Sequence, residues 1–341
     1  MLHVLQYFVV NIYLSSKARN VNAMHQGLKK NVEVILANPR GFCAGVSRAI
    51  KIVELAVRYH NKNRKIYVLH EIVHNKYIIN SLKEMGVIFI DTLDQAEDGS
   101  ILIYSAHGIS KKIEYLGQLR NLEIIDATCP LVSKVHKEVQ IYDTEGYQVI
   151  LIGHKGHREV EGTIGQITNP VLLVQNLSDI DNIEVINPNK LAYVTQTTLS
   201  VDDTRTIIDK LKQKFPYIKG PDLKDICYAT QNRQIAVKQL SELVDIVFIL
   251  GSKNSSNSNR LKELAELKTP SFLIDSYKEI DLDLLKDVTK IGITAGASAP
   301  EILIKEVIDS LKQHMNITLS DLDVIRENIA FNIPKQLREY K

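Results

Sequence analysis

Three cysteines, Cys43, Cys129 and Cys227, occupy matched settings in this 341-residue chain. Each falls just ahead of a helical pattern, in the segments PRGFCAGVSRA, DATCPLVSK and DICYATQNRQ. A helix N-terminus stabilises a thiolate and lowers its pKa, and the thiolate is the form that binds metal. Three soft thiolates suit zinc or an iron–sulfur cluster. Clusters usually take four cysteines, so three would leave one iron free to meet substrate, like the open position of a catalytic zinc site. Zinc held by the three cysteines and a histidine is the rival reading. A cysteine taken singly reads as a small buried hydrophobe.

His74, His107 and His157 each fall in a loop after an apolar run, where imidazole N–H groups suit a phosphate and protonated rings would bind it more strongly. The stretch HEIVH (70–74) matches the H-E-x-x-H pattern of zinc proteases. That pattern requires a helix, whereas here the helical stretch begins only after it, at Asn75. The Ser/Asn-rich loop SKNSSNSNR (252–260) places Ser255, Ser256 and Asn257 ahead of a helix, an arrangement suited to an anion. Ser298, in AGASAPE, is placed in the same way. Glu159 stands two residues after His157, where a carboxyl can donate a proton to a leaving hydroxyl. Thr197 is placed to orient a hydroxyl or a water in the same relay.

The elements that must position these residues read as α/β. Short apolar runs at 32–37, 65–69, 101–106, 122–127, 148–153, 191–196, 247–252 and 290–295 are mostly continuous, as in parallel strands buried on both faces. Helical patterns follow most of them. The loops repeat three times: a cysteine loop, a polar loop some thirty residues later, then a third loop (SAHGIS, TQTTLS, AGASAPE). The chain therefore reads as units at 31–127, 128–222 and 223–312, each holding one cysteine, with a tail at 313–341 packing on the core. Ligands of parallel sheets bind beyond the carboxyl ends of the strands, so these loops would surround one site.

Composition narrows the function. At 45% hydrophobic and 24% charged residues the chain is an ordinary globular one. A net charge of +2, without a basic face, speaks against nucleic acid. Three cysteines form no disulfide framework and fit a reducing compartment, here the cytoplasm. Residues 1–30 read as an extension. Its apolar run Val4–Leu14 is too short to span a bilayer, and no Lys or Arg precedes it, as a signal peptide would require. Translation from Met24 is the expected explanation, with organelle import as the alternative.

In order, PRGFCAGVSRA, HEIVHN, SAHG, DATCPLVSKVH, GHKGHREVEGT, TQTTLS, ATQNRQ, KNSSNSNRL, TAGASAPE and the terminal ENIAFNIPKQLRE resemble the 4-hydroxy-3-methylbut-2-enyl diphosphate reductases, the last enzymes of the non-mevalonate isoprenoid pathway. The resemblance runs from about Val32 to the end. It implies a trefoil of three small α/β domains, with mostly parallel sheets, around one [4Fe–4S] cluster per chain. Cys43, Cys129 and Cys227 would be the ligands, and the fourth iron would take the substrate hydroxyl. His74, His107 and His157 with Ser255, Ser256, Asn257 and Ser298 would hold the diphosphate, Glu159 would give the proton, and Thr197 would help position the hydroxyl. The implied reaction consumes two electrons and two protons, expels water, and yields isopentenyl and dimethylallyl diphosphates. Ferredoxin or flavodoxin would supply the electrons, since the chain carries no flavin or nicotinamide fingerprint. Arg158 departs from the family pattern, which commonly has Pro there. A zinc hydrolase and a non-catalytic diphosphate-binding or iron-sensing module are the competing classes.

Overall fold

The computed structural model describes residues 29–60 and 64–340, so all but the last two residues of the N-terminal extension lie outside the described residues. Three separate parallel sheets carry the chain. The first holds β2 (Ile66–Leu69), β3 (Val87–Ile90), β4 (Ile101–Tyr104) and β5 (Glu123–Asp126) in the order β3-β2-β4-β5. The second has β6 (Gln148–Ile152) between β7 (Leu172–Val174) and β8 (Leu191–Thr195). The third orders β10 (Ser271–Ile274), β9 (Ile246–Leu250), β11 (Lys290–Ala295), β1 (Asn31–Asn38) and β12 (Asn316–Asp323).

Continuous apolar runs produce sheets covered on both faces. In β2, Ile66 and Val68 enter one core cluster while Tyr67 and Leu69 enter the opposite one. In β1, Val34 and Leu36 divide from Ile35 and Ala37 in the same way. Each face is closed by a helix whose apolar stripe meets the sheet.

The position of β1 corrects the expected unit at 31–127. This strand pairs in parallel with β11 and β12, so it belongs to the third sheet. A run buried on both faces specifies a central strand but not which sheet receives it. The chain then crosses over in α1 (Ala44–His60), whose Ile52, Val53 and Ala56 pack on the first sheet. The same step recurs twice. After β5 of the first sheet, α4 (Pro130–Thr144) packs Val135 and Val139 on the second. After the second sheet, α8 (Tyr228–Ser241) packs Ala236, Val237 and Leu240 on the third. Between these come α2 (Lys76–Glu84) and α3 (Lys111–Gln118), then α5 (Arg158–Ile164), α6 (Leu177–Asp181) and α7 (Val201–Lys214). The series ends with α9 (Ser256–Glu266) and α10 (Glu301–His314). The tail includes β12 as an edge strand and returns Leu337 and Ile333 to the core under α1. No helix among the described residues is long and apolar enough to cross a membrane.

Candidate functional site

Each cysteine sits at one of the three crossings between sheets, on the residue that opens the next helix. Cys129 is the N-cap of α4 and Cys227 the N-cap of α8, and Cys43 immediately precedes α1. Backbone bonds fix all three: the N–H of Cys43 donates to Ala297 O (3.1 Å), that of Cys129 to Ala106 O (3.0 Å) and that of Cys227 to Thr197 O (2.9 Å). Helix N–H groups also reach two of the sulfurs, from Val46 to Cys43 Sγ (3.4 Å) and from Thr230 to Cys227 Sγ (3.3 Å).

Two glycines make the approach possible. Gly41 adopts φ +66°, and a Cβ there would meet Ala299 O at 3.0 Å. A Cβ on Gly45 would lie 2.7 Å from Cys129 Sγ and 3.8 Å from Cys43 Sγ. The first turn of α1 thus passes against the sulfur of the next crossing only because it lacks a side chain.

The expected lowering of thiol pKa at the helix starts is overturned at two of the three. Burial pushes Cys129 up to about 11 and Cys227 up to about 12, outweighing the helix N–H groups. Desolvation of the thiolate is the largest cause at both.

All twelve residues singled out in the sequence line one cavity, which encloses about 780 Å³ including its mouth: Cys43, Cys129, Cys227, His74, His107, His157, Glu159, Thr197, Ser255, Ser256, Asn257 and Ser298. The three imidazoles meet there. His74 stacks on His107 with centroids 4.2 Å apart, and His157 stands edge-on to both at 5.5 and 5.8 Å. Burial holds His157 down to about 4 and His107 well below its ordinary value, with the neighbouring rings adding to the effect. Both are therefore neutral near pH 7. His157 Nδ1 accepts the N–H of Glu159 (3.1 Å), which leaves its proton on Nε2. His74 Nδ1 faces Glu71 Oε2 at 2.8 Å, and this pair also holds Asn254.

The HEIVH stretch has no zinc-protease geometry. His70 lies in a left-handed turn at φ +62° and α2 starts only after its N-cap Asn75, so its two histidines are not on one helix face. Among the described residues no group of three His, Cys, Asp or Glu side chains is placed to hold a single metal ion.

Glu159 is buried in the first turn of α5, and both its oxygens are served by one residue. The N–H of Thr197 donates to Oε1 (2.6 Å) and the Thr197 hydroxyl to Oε2 (3.0 Å). Burial still raises the carboxyl from 4.5 to about 7, so near neutrality it holds its proton about half the time. Across the cavity, Ser255 caps α9, Ser256 Oγ donates to Thr198 O (3.0 Å) and Ser298 Oγ to His74 O (2.9 Å). Asn257 is buried, yet neither its Nδ2 nor its Oδ1 has a partner. A buried amide without partners is costly, and here it lines the cavity beside two hydroxyls.

Several contributors were not read from the sequence. Tyr228 and Phe331 line the cavity, and Tyr228, directly after Cys227, accepts the N–H of Ala44 (3.2 Å). Arg233, fully buried, donates to Gly41 O (2.7 Å), Ala229 O (3.0 Å) and Glu327 Oε1 (3.0 Å), tying two cysteine segments to the tail. Adjacency to Cys227 was a usable signal for Tyr228; the others had none. Arg158 pairs along α5 with Glu161 (3.0 Å), at the outer side of the helix start.

The family model described as "LytB protein" matches residues 34–312. A relative from Ehrlichia ruminantium (strain Gardel), named 4-hydroxy-3-methylbut-2-enyl diphosphate reductase, is 74% identical over 320 residues, 94% of this chain and 98% of its own. One of the same name from Anaplasma marginale (strain Florida) is 57% identical over 306 residues, covering 89% of this chain and 90% of its own. The solved E-1-hydroxy-2-methyl-but-2-enyl-4-diphosphate reductase of Plasmodium falciparum superposes with a TM-score of 0.86 at 41% identity, over 92% of this chain and 98% of that one. The span matched by the family model holds every candidate ligand and all but the β12 edge of the three sheets, and on these grounds the chain belongs to the LytB protein family.

Proposed function

We propose that this chain reductively removes the hydroxyl of (E)-4-hydroxy-3-methylbut-2-enyl diphosphate, giving isopentenyl and dimethylallyl diphosphates. The observation that carries the reading is one cavity where three cysteine thiols, three imidazoles, a partner-less buried amide and a proton-holding carboxyl meet. The donor set fits a cluster: three thiols come from three crossings, and Gly45 leaves room beside two of the sulfurs. A [4Fe–4S] cluster on Cys43, Cys129 and Cys227 would supply electrons singly, with one iron left without a protein ligand.

The remaining work falls to side chains. The Nε2–H of neutral His157, with His74 and His107, donates to the diphosphate oxygens. Asn257 donates its free amide, Ser256 and Ser298 turn their hydroxyls from internal carbonyls toward the same anion, and Ser255, whose oxygen accepts from Ser258, donates its hydroxyl proton there. The carbon–oxygen bond breaks with a proton from Glu159 to the departing oxygen, so that water leaves instead of hydroxide. Thr197 holds that carboxyl in register through two hydrogen bonds. The balance is one substrate, two electrons and two protons in, one product and one water out. The reading includes an acidic one-electron donor such as ferredoxin or flavodoxin and a cytoplasmic setting of bacterial type.

Anaerobic purification with assays for iron, acid-labile sulfide and turnover under a small one-electron reductant tests it. Brown protein with equal iron and sulfide that consumes the substrate is the expected result. Colourless, zinc-loaded protein without turnover would overturn it in favour of a zinc hydrolase.

A further inference from the structure

A second cavity lies on the outside of the cysteine crossings. It is an open groove lined by Phe42, Ala44, Arg48, Lys51, Tyr228, Glu327 and the tail residues Ile329, Ala330, Phe331 and Ile333. Phe42 and Ala44 flank Cys43, and Tyr228 follows Cys227. Arg48 donates to the carbonyls of Ala127 (3.2 Å) and Thr128 (3.0 Å), just ahead of Cys129. The groove is thus built from the chain neighbours of Cys43 and Cys227, with Arg48 reaching the segment of Cys129. Tyr228 and Phe331 line both this groove and the central cavity, so the partition between them is aromatic and one side chain thick.

Charge and surface character describe what fits there. Of the three charged residues in the groove, Arg48 and Lys51 are basic. Glu327 is already matched by buried Arg233 (3.0 Å) and by Asn232 (3.0 Å). Lys51 is exposed, with Glu54 on its own helix no nearer than 4.0 Å. The tail presents Ile329, 45% exposed, beside Ala330 at the surface. A small apolar floor with a positive rim is the form of a weak, fast-exchanging electron-transfer contact, in which complementary charge sets the encounter rate.

We infer that this groove is the docking surface of a small acidic one-electron carrier protein, and that electrons enter through the Tyr228–Phe331 partition. The inference rests on the reductase reading and adds to it the carrier's landing site. The carrier loses one electron per visit and two visits serve one turnover, while both protons reach the substrate from the cavity side. The geometry separates the two traffics: the diphosphate loops line the inner cavity, and none of them lines the groove.

The test uses the cluster-loaded enzyme with two reductants, an acidic ferredoxin and reduced methyl viologen. The variants are Lys51→Glu, Ala330→Glu and, as a distant control, Lys312→Glu on α10. Both groove variants should raise the KM for ferredoxin about tenfold and weaken its salt-sensitive binding in substrate-free titration calorimetry. With methyl viologen their turnover and substrate KM should match those of the parent, and Lys312→Glu should change neither assay. Unaltered ferredoxin kinetics and binding in both groove variants would overturn the docking site. An equal loss with both reductants would overturn it too, marking the groove as a passage for substrate. A parent enzyme inactive with methyl viologen would instead strike the reductase reading.

Discussion

Replacing Glu159 by Gln separates the two consequences of burying this carboxyl. The folded protein holds it at about 7 against 4.5 in the open chain, so folding favours the neutral form. The sign follows: between these values the native state binds more protons than the unfolded one, and stability falls as pH rises. The penalty is absent below about 4.5 and complete above about 7. At roughly 1.4 kcal/mol per pH unit it reaches about 3 kcal/mol. Gln is neutral throughout and can accept the Thr197 N–H through Oε1 while its amide donates to Thr197 Oγ1. Urea unfolding from pH 5 to 8 should therefore show the variant gaining on the parent by up to about 3 kcal/mol. Other titrating groups are common to both and cancel in the difference. Turnover with reduced methyl viologen should drop about 10²–10⁴-fold, the usual worth of a positioned acid, with substrate KM little changed. Identical pH–stability curves would refute the burial argument, and near-native turnover would refute the proton-donor role.

Three further substitutions probe the rest of the site. Asn257→Ala removes a buried amide that pairs with no protein group, so substrate KM should rise about 10–100-fold while the melting temperature stays level or increases. Gly45→Ala puts a Cβ 2.7 Å from Cys129 Sγ, so the sulfur must shift; iron content per chain should fall while the far-ultraviolet circular dichroism stays that of the parent. Arg233→Met takes the donor from Gly41 O and the cation from Glu327, leaving that carboxylate only its Asn232 bond, which should cost about 3–5 kcal/mol in urea unfolding.

The sequence made β1, β2, β4, β6, β8, β9 and β11 legible because their runs are buried on both faces and hence continuously apolar, and the run at 122–127 also marked the edge strand β5. The strands it hid are β3, β7, β10 and β12. Three of these are only three or four residues long, and β12, written NITLSDLD, is an edge strand with half its side chains in water. Its acidic residues read as tail, although charge is a common guard on an exposed edge. The site loops were legible because they recur after strands at matched intervals. What spacing could not supply was partnership: that Thr197 would serve both oxygens of Glu159 from another element, or that Arg233 would be fully buried. A charged residue is ordinarily read as solvated, and the Gly41 carbonyl and Glu327 carboxylate, from two distant segments, make its burial tenable.

Placing β1 in the third sheet changes what the repeat means. If each cysteine belonged wholly to one unit, each thiol could be set by the packing of that unit alone. Instead, Cys43 leaves the third sheet for the first, Cys129 the first for the second, and Cys227 the second for the third. The hydrogen bonds around the cavity follow the same cycle. Cys129 N–H reaches Ala106 O, Cys227 N–H reaches Thr197 O, Ser256 Oγ reaches Thr198 O and Ser298 Oγ reaches His74 O. These four bonds both aim site residues and join the units, so neither effect can loosen alone, whereas Thr197 aims Glu159 from within the second unit. This also accounts for a cavity that tolerates a partner-less amide and a desolvated carboxyl. A ligand that satisfies those groups draws on all three units, so occupancy stabilises their closure by mass action, about 2.7 kcal/mol at a hundredfold excess over Kd.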